Sequence, residues 1–283
     1  MKKHILGFAA SVAFAAMIAV PASAHRQWML PSSTVLSGDD VWVTVDAAVS
    51  NDLFYFEHQP MRVDGVKAWA PDGTEVQVEN KATGRYRSTF DVHLTQKGTY
   101  RIASISDMLM GSYDLNGKTE RLPRGTTAAN LAERIPAGAT NVQTAEANNR
   151  NEIFVTVGEP TTTLFKPTGK GIELVPVTHP NDLIAGEAAT FQFLLDGKPA
   201  AGLPVTVIPG GIRYRNDLGQ IDTKTGADGK VEVTWPEPGM YWVNVTTPQA
   251  ERAEGGGEGG QPPAGAPPQR RASYVTTLEV LAP

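Results

Sequence analysis

Two parts of this chain repeat one sequence pattern. In each part a turn glycine precedes a strand of alternating apolar and polar residues, and a second glycine further along precedes a tyrosine. SGDDVWVTV at 37–45 corresponds to AGEAATFQF at 185–193, and QKGTYRI at 96–102 corresponds to EPGMYWV at 237–243. Apolar residues recur at every second position in these stretches, which is the period of a β-strand with one buried face. The repetition predicts two related β modules in tandem.

The tyrosines of the repeat, Tyr100 and Tyr241, each stand two residues after a glycine. In immunoglobulin-like sandwiches a tyrosine at such a corner bonds its hydroxyl to the backbone just upstream. The alternative is that Gly-x-Tyr is a common way to open a strand, and both interpretations predict an all-β fold. One short amphipathic helix is expected in TTAANLAERI, with Ala129, Leu131 and Ile135 on one face.

Turn-forming residues and local composition indicate where one module of the chain ends and the next begins. Asp196-Gly197 and Asp228-Gly229 predict tight turns in a second module whose DGKPAAGLPVTV and ADGKVEVTW resemble prealbumin-like modules. We therefore expect two immunoglobulin-like or prealbumin-like β-sandwich modules, at 25–168 and 169–283, joined at KPTGKG. The Gly/Pro/Glu-rich stretch at 249–272 is expected to be a disordered loop inside the second module.

The first 24 residues have the order of a secretory signal. Lys2 and Lys3 precede an uncharged apolar run at 5–20, and Ala-Ser-Ala at 22–24 fits the small-x-small rule for cleavage. The apolar run is short for a membrane span, and no second long apolar segment follows it. We therefore expect a cleaved signal peptide at 1–24, a periplasmic mature protein and no membrane-spanning segment.

Composition excludes several function classes. The chain has no cysteine, so a metal site would need nitrogen or oxygen ligands, with methionine as the soft alternative. Loss of Lys2 and Lys3 takes the formal net charge from −5 to −7, which argues against a nucleic-acid partner. Motifs for nucleophilic hydrolysis, zinc proteolysis, phosphate binding and dinucleotide binding are missing, so no catalytic residue is predicted.

His25 is the strongest predicted metal ligand. Cleavage after Ala24 would free its α-amine, and the amine and the imidazole Nδ1 would then close a chelate ring on Cu(II) or Ni(II). Cleavage after Ala22 would start the chain at Ser23 and place His25 third, where the amine, two amides and the imidazole form a square-planar site. The alternative is that a histidine follows the cleavage site by chance.

Two further histidines are candidate ligands. His58 lies beside Glu57 in NDLFYFEHQPMR, and His179 lies in PVTHPND, where Asp182 could accept the second ring N–H and orient the imidazole. Glu57 and Asp182 are accordingly predicted to support the site from behind the ligands. The alternatives are that His58 is a packed structural residue and that His179 is a turn residue. His93 is not a candidate, because the strand pattern places it towards solvent.

Several motifs resemble a known family. AHRQWMLPSS, SNDLFYFEHQPMR, VTHPNDL and GMYW are similar to segments of exported bacterial proteins of unknown function called NikM-like or nickel-uptake proteins. The resemblance covers nearly all of the mature chain. It implies an exported metal-handling protein, often encoded with outer-membrane receptors and metal-uptake genes. The resemblance also implies that His25 is a metal ligand. His58 and His179 are the next implied ligands, because they stand in the recurrent motifs.

Together these features predict a periplasmic accessory protein that binds a divalent transition metal, nickel, copper or cobalt, for uptake or homeostasis. Its expected partners are the metal ion and an outer-membrane receptor or metal transporter. If His58 and His179 both contribute, the site lies where the modules meet, and binding weakens as pH falls through about 6 because only neutral imidazole is a ligand. Two alternatives stay open: a metal-free envelope interaction or carbohydrate-binding module, and a copper oxygenase with an N-terminal histidine brace.

Overall fold

The computed structural model describes residues 25–248 and 269–283. The predicted signal peptide therefore lies outside the described residues. Of the loop predicted at 249–272, only the last four residues are described, and a strand already begins at Arg271. In the described ranges no helix is long and apolar enough to cross a membrane.

Strands dominate the N-terminal half, which confirms the all-β prediction. Residues 25–157 form β1 (Arg26–Pro31), β2 (Val35–Leu36), β3 (Val41–Ser50), β4 (Gln59–Pro60), β5 (Val66–Trp69), β6 (Glu75–Val76), β7 (Val78–Thr83), β8 (Ser88–Leu94), β9 (Gly98–Leu115), β10 (Lys118–Arg121), α1 (Leu131–Arg134) and β11 (Thr140–Val157). The helix α1 falls where the sequence predicts it, but it is four residues long and buries none of them.

The C-terminal half adds eight strands and two short 3-10 helices in the described residues. These are the 3-10 helix Thr163–Phe165, β12 (Ile172–Pro176), β13 (Ala188–Leu195), β14 (Lys198–Pro199), β15 (Pro204–Pro209), the 3-10 helix Ile212–Tyr214, β16 (Ile221–Lys224), β17 (Lys230–Thr234), β18 (Gly239–Thr246) and β19 (Arg271–Val280).

The strands form two sandwiches that share one sheet. A five-stranded sheet has the order β1-β3-β8-β7 with β4 on β3, and a four-stranded sheet has the order β12-β13-β14 with β17 on β13. Both face a ten-stranded sheet of order β16-β15-β18-β19-β11-β9-β5-β6, with β10 on β9 and β2 on β11. Each smaller sheet packs against a different part of the large one, with inward-facing residues of both sheets in its core.

Each sandwich has its own core, because the alternating strands bury one face. The N-terminal core includes Val45 and Phe90 from the five-stranded sheet and Tyr100 and Ile153 from the large sheet. The C-terminal core includes Phe191, Phe193, Val231, Trp235, Tyr241 and Tyr274. A third cluster joins the halves, and its buried members are Trp28, Ala48, Leu53, Ile208, Ile212 and Trp242.

The sharing of one sheet was not predicted from the sequence. The join is a parallel pairing of β11 with β19, in which Ala147 to Glu152 lie opposite Arg271 to Thr276. Parallel neighbours need a long connection, and these strands are more than 100 residues apart in the chain. No local pattern reports such a pairing, so two repeated modules could only be predicted as separate sandwiches.

Both tyrosines of the repeat form the predicted corner. The Tyr100 hydroxyl accepts the Gln96 N–H at 2.7 Å, and the Tyr241 hydroxyl donates to the Glu237 carbonyl at 2.7 Å. In each case the partner lies four residues upstream, as in a tyrosine corner. At Gly98 the φ of +120° and the approach of Pro71, within 2.9 Å of any added Cβ, leave room for glycine alone.

A buried ion cluster lies at the join between the halves. Arg150 of β11 donates to Glu152 at 3.4 Å and to Glu173 of β12 at 3.2 Å, and all three side chains are at most 8% exposed. Glu173 also accepts from the backbone N–H groups of Thr168 and Gly169. These bonds and the Arg150 charge outweigh burial and hold the pKa of Glu173 below its ordinary value.

We expect Arg150→Ala to lower the free energy of unfolding by about 3–5 kcal/mol, because it leaves buried carboxylates without their cation. The measurement is urea denaturation at pH 7. Lys67→Ala, which removes an exposed ion pair with Glu75, is the control and is expected to cost less than about 1 kcal/mol. Equal losses in the two variants would contradict a structural role for the cluster.

Candidate metal-binding site

His25 and His58 meet at the C-terminal end of β3. The residue after His25 pairs with Ser50, the last residue of β3, and the residue after His58 pairs with Val49 on the other side of that strand. The two histidines therefore flank the strand end from opposite sides. Their rings are stacked with centroids 3.8 Å apart and an angle of 17° between the planes. Both residues are exposed.

The strand that carries His25 is anchored close to it. Trp28 is fully buried, and its Nε1 donates to the Ser50 hydroxyl at 2.8 Å. Trp242, from the C-terminal half, donates its Nε1 to the Gln27 carbonyl at 3.0 Å. Because these bonds lie two and three residues from His25, the start of β1 is held at the junction of the two halves.

The loop that carries His58 is closed by its neighbour Glu57. One carboxylate oxygen of Glu57 accepts the backbone N–H groups of Asn51 and Asp52, at 2.9 and 2.8 Å. The carboxylate thus ties the end of the loop to its beginning, directly after β3. Glu57 was predicted to support a metal ligand, and in the structure it positions the backbone next to His58.

Arg26 is a neighbour of this site that sequence reasoning missed. Its guanidinium donates to the Asn51 carbonyl at 2.8 Å, so it also joins β1 to the loop after β3. Burial lowers the pKa of Arg26, and the carboxylate of Asp52 partly offsets that shift. The alternation in β1 places Arg26 on the same face as Trp28, which could have marked it as partly buried. Its bond to the Asn51 carbonyl follows only from the pairing of β1 with β3.

The described side chains bring two imidazole rings together. No group of three or more His, Cys, Asp or Glu side chains that could hold a metal occurs in residues 25–248 and 269–283. The α-amine of a chain that begins at His25 is the donor nearest to the His25 ring along the covalent structure.

His179 does not join the other two histidines. Its Nδ1 accepts the Asn181 N–H at 3.1 Å, and its Nε2 lies 3.2 Å from the Thr161 carbonyl and 3.1 Å from the Thr99 hydroxyl. A neutral ring with the proton on Nε2 satisfies all of these contacts, so neither nitrogen is free for a metal. His179 instead holds its turn against the start of β9.

Asp182 was expected to accept the ring N–H of His179, and the structure gives that N–H other partners. The second ring N–H of His179 is directed at Thr161 and Thr99, whereas Asp182 donates its own backbone N–H to the His179 carbonyl at 3.0 Å. Burial lowers the pKa of His179, and the Thr161 bond and the Asp182 charge only partly oppose that shift. The turn interpretation left open for His179 therefore describes it better than the ligand interpretation.

Comparisons with known proteins add a family. A family model described as "Domain of unknown function (DUF4198)" matches residues 22–249. No curated protein matches the chain.

Among solved structures, the D0-D1 domain of Intimin matches with 11% identity over 89% of this chain and 97% of that chain, at a TM-score of 0.20. Salmonella alpha-2-macroglobulin reacted with methylamine matches with 12% identity over 91% of this chain and 15% of that chain, at a TM-score of 0.23. An ICAM-5 D1–D4 ectodomain fragment matches with 10% identity over 91% and 51% of the two chains, at a TM-score of 0.20. Likenesses of this size carry no conclusion about function.

We expect the stability of the protein to fall as pH drops below about 6.5 in a way that depends on His179. Its folded pKa lies below the value of 6.5 for an unperturbed histidine, so the unfolded chain binds the proton first. The stability contribution is complete above pH 6.5 and is lost as pH falls through the lowered pKa. His179→Gln should flatten the urea-midpoint profile in this window, while His93→Gln should keep it. A His179→Gln profile parallel to the parent would contradict the assignment.

Proposed function

The chain belongs to this DUF4198 family, and we propose that it is an exported accessory protein that binds a divalent transition-metal ion, copper or nickel, at His25 and His58. The observation that carries the proposal is the meeting of these two rings, 3.8 Å apart, at an exposed strand end. Two imidazoles alone make a weak site. The α-amine freed by cleavage after Ala24 would supply the third nitrogen.

The chemistry of these donors selects the metal class. Neutral imidazole and amine nitrogens suit Cu(II) and Ni(II), which prefer tetragonal nitrogen and oxygen coordination. The described site offers no thiolate, and Glu57 already accepts two backbone N–H groups. Hard oxygen-preferring ions such as calcium and magnesium are therefore poor matches for the site.

The arrangement also suits an ion that has to be exchanged. Both rings are exposed, so side-chain rotation is enough to turn them from stacking towards a shared ion, and such rotations are fast. The backbones are held by Trp28 on one side and Glu57 on the other, so the ion would not have to order the chain. An accessory role in uptake or homeostasis, with an outer-membrane receptor or metal transporter as partner, follows as the matching proposal.

The decisive experiment compares three metal-free chains whose ends are verified by mass spectrometry: one beginning at His25, one beginning at Ser23, and one beginning at His25 with its α-amine acetylated. Each is titrated with Cu(II) and Ni(II) by calorimetry. We expect one ion per chain beginning at His25, and acetylation to weaken binding by about tenfold or more, which is about 1.4 kcal/mol, because an acetylated amine is no longer a ligand.

Matched histidine variants test the second ring. In the chain beginning at His25, His58→Ala should weaken binding by about tenfold, whereas His93→Ala should leave it unchanged. His93 is a suitable control because it stacks on Trp42 at 4.3 Å and contacts Asp40. In the chain beginning at Ser23, His58→Ala should have little effect, since the terminus alone supplies four nitrogens. Equal affinity of the His25 chain and the acetylated chain would refute the proposal.

A second candidate function, a copper oxygenase, uses the same three nitrogens. The observation that favours it is that His58 and His25 lie next to each other at an exposed surface, so that rotation out of the stacked arrangement could bring both rings to one copper ion. The copper-loaded chain should then consume O₂ with ascorbate faster than free Cu(II) does, and His58→Ala should remove the excess. Oxygen consumption no faster than that of free Cu(II) would contradict the oxygenase and leave the accessory role as the proposed function.

A further inference from the structure

A cleft of about 400 Å³ lies between the two halves of the protein. Leu30 and Phe54 line it from the N-terminal half, and Pro209, Arg215 and Met240 line it from the C-terminal half. Its volume falls in the range of small-molecule sites, and such sites are common where two structural units meet. The walls are mostly apolar, so the cleft suits the body of a small organic molecule better than a free ion.

The backbone at Phe54 is strained, and the packing around it maintains the strain. Phe54 has a φ of +64°, which is rare for a bulky side chain. Its ring lies against Gly210, where an added Cβ would come within 2.9 Å of the Phe54 Cδ2 atom and 3.1 Å of the Met240 carbonyl oxygen. Strained residues of this kind persist where the surroundings impose them, and they cluster at ligand sites.

Two tyrosines stand next to the cleft. Tyr55 follows Phe54 in the chain and Tyr214 precedes Arg215, so each tyrosine adjoins a lining residue. Their hydroxyls are hydrogen-bonded, and their rings lie 5.9 Å apart at 69°. Tyr214 is 81% exposed, so its ring is accessible from solvent. The pair presents an aromatic surface that spans the two halves.

Two arginines lie in this region, Arg215 in the lining and Arg213 beside Tyr55, while Asp52 acts on Tyr55 as an acid from outside the lining. The Arg213 guanidinium lies 4.7 Å from the Tyr55 ring centre, and the residue is exposed. Arg215 donates to the carbonyls of Gly210, Pro209 and Leu218, and no carboxylate of the described residues pairs with it. Glu237, at the exposed rim, is the single acid among the described lining residues.

We propose that this cleft and the tyrosine pair beside it bind a small planar organic anion, such as an aromatic carboxylate. The apolar walls and the tyrosine rings would hold the planar body by stacking, and the exposed Arg213 would hold the carboxylate by charge-assisted hydrogen bonds, since Arg215 is bonded to backbone carbonyls. The proposal requires no metal and stands independently of the His25–His58 site.

The test uses the metal-free mature chain and two probes, 1-anilinonaphthalene-8-sulfonate and benzoate. We expect saturable one-to-one binding of the sulfonate, with displacement by benzoate. Arg213→Gln should weaken both probes by about tenfold through loss of the cation, and Tyr214→Ala by about threefold through loss of a stacking surface. Both side chains are exposed, so neither variant is expected to unfold the protein.

A matched pair of controls lies elsewhere on the surface. Arg85 stacks on Tyr86 at 5.5 Å, and Tyr86 is 42% exposed, so Arg85→Gln and Tyr86→Ala remove the same groups at residues that do not line the cleft. They should leave both probes unchanged. Neutral benzamide and non-planar cyclohexanecarboxylate should displace the sulfonate at least about tenfold less well than benzoate does. Displacement by benzamide as good as by benzoate, or equal effects of the control variants, would overturn the proposal.

Discussion

The burial of Trp28 at the junction of the two halves determines where the first described residues lie. Trp28 packs in a cluster with Ile208, Ile212 and Trp242 of the C-terminal half, and it bonds to Ser50 at the end of β3. Truncation of such a buried tryptophan typically costs about 3–5 kcal/mol. This cluster holds β1 in register beside β3, and the register in turn brings His25 to the strand end where His58 arrives from the other side.

Polar contacts complete the join that this apolar cluster begins. Arg150 links the β11 strand of the shared sheet to Glu173 in the C-terminal half, and His179 links its turn to Thr99 and Thr161. Buried polar groups of this kind are costly when unpaired, so they favour one relative arrangement of the halves. A histidine that the sequence suggested as a metal ligand thereby has a structural role, since hydrogen bonds within the protein occupy both of its ring nitrogens.

One loop serves both surfaces proposed to bind ligands. In the segment 51–58, Glu57 closes the loop and positions His58, while Phe54 takes a left-handed backbone conformation and lines the cleft between the halves. Tyr55, between them, reaches across to Tyr214. The aromatic richness of this segment is visible in the sequence. Its separation into a histidine end and an aromatic end is visible only in the folded chain.

The sequence by itself determined the all-β class and indicated two repeated units and two tyrosine corners, because alternation and a glycine two residues before a tyrosine act over a few neighbouring residues. It also singled out His25 and His58 as residues to consider. The tertiary structure decided that these two meet while His179 does not, that the halves share a ten-stranded sheet, and that a cleft lies between them. These features depend on which distant strands become neighbours and in what register, and that choice is made by the packing of residues such as Trp28 and Arg150 against partners far along the chain.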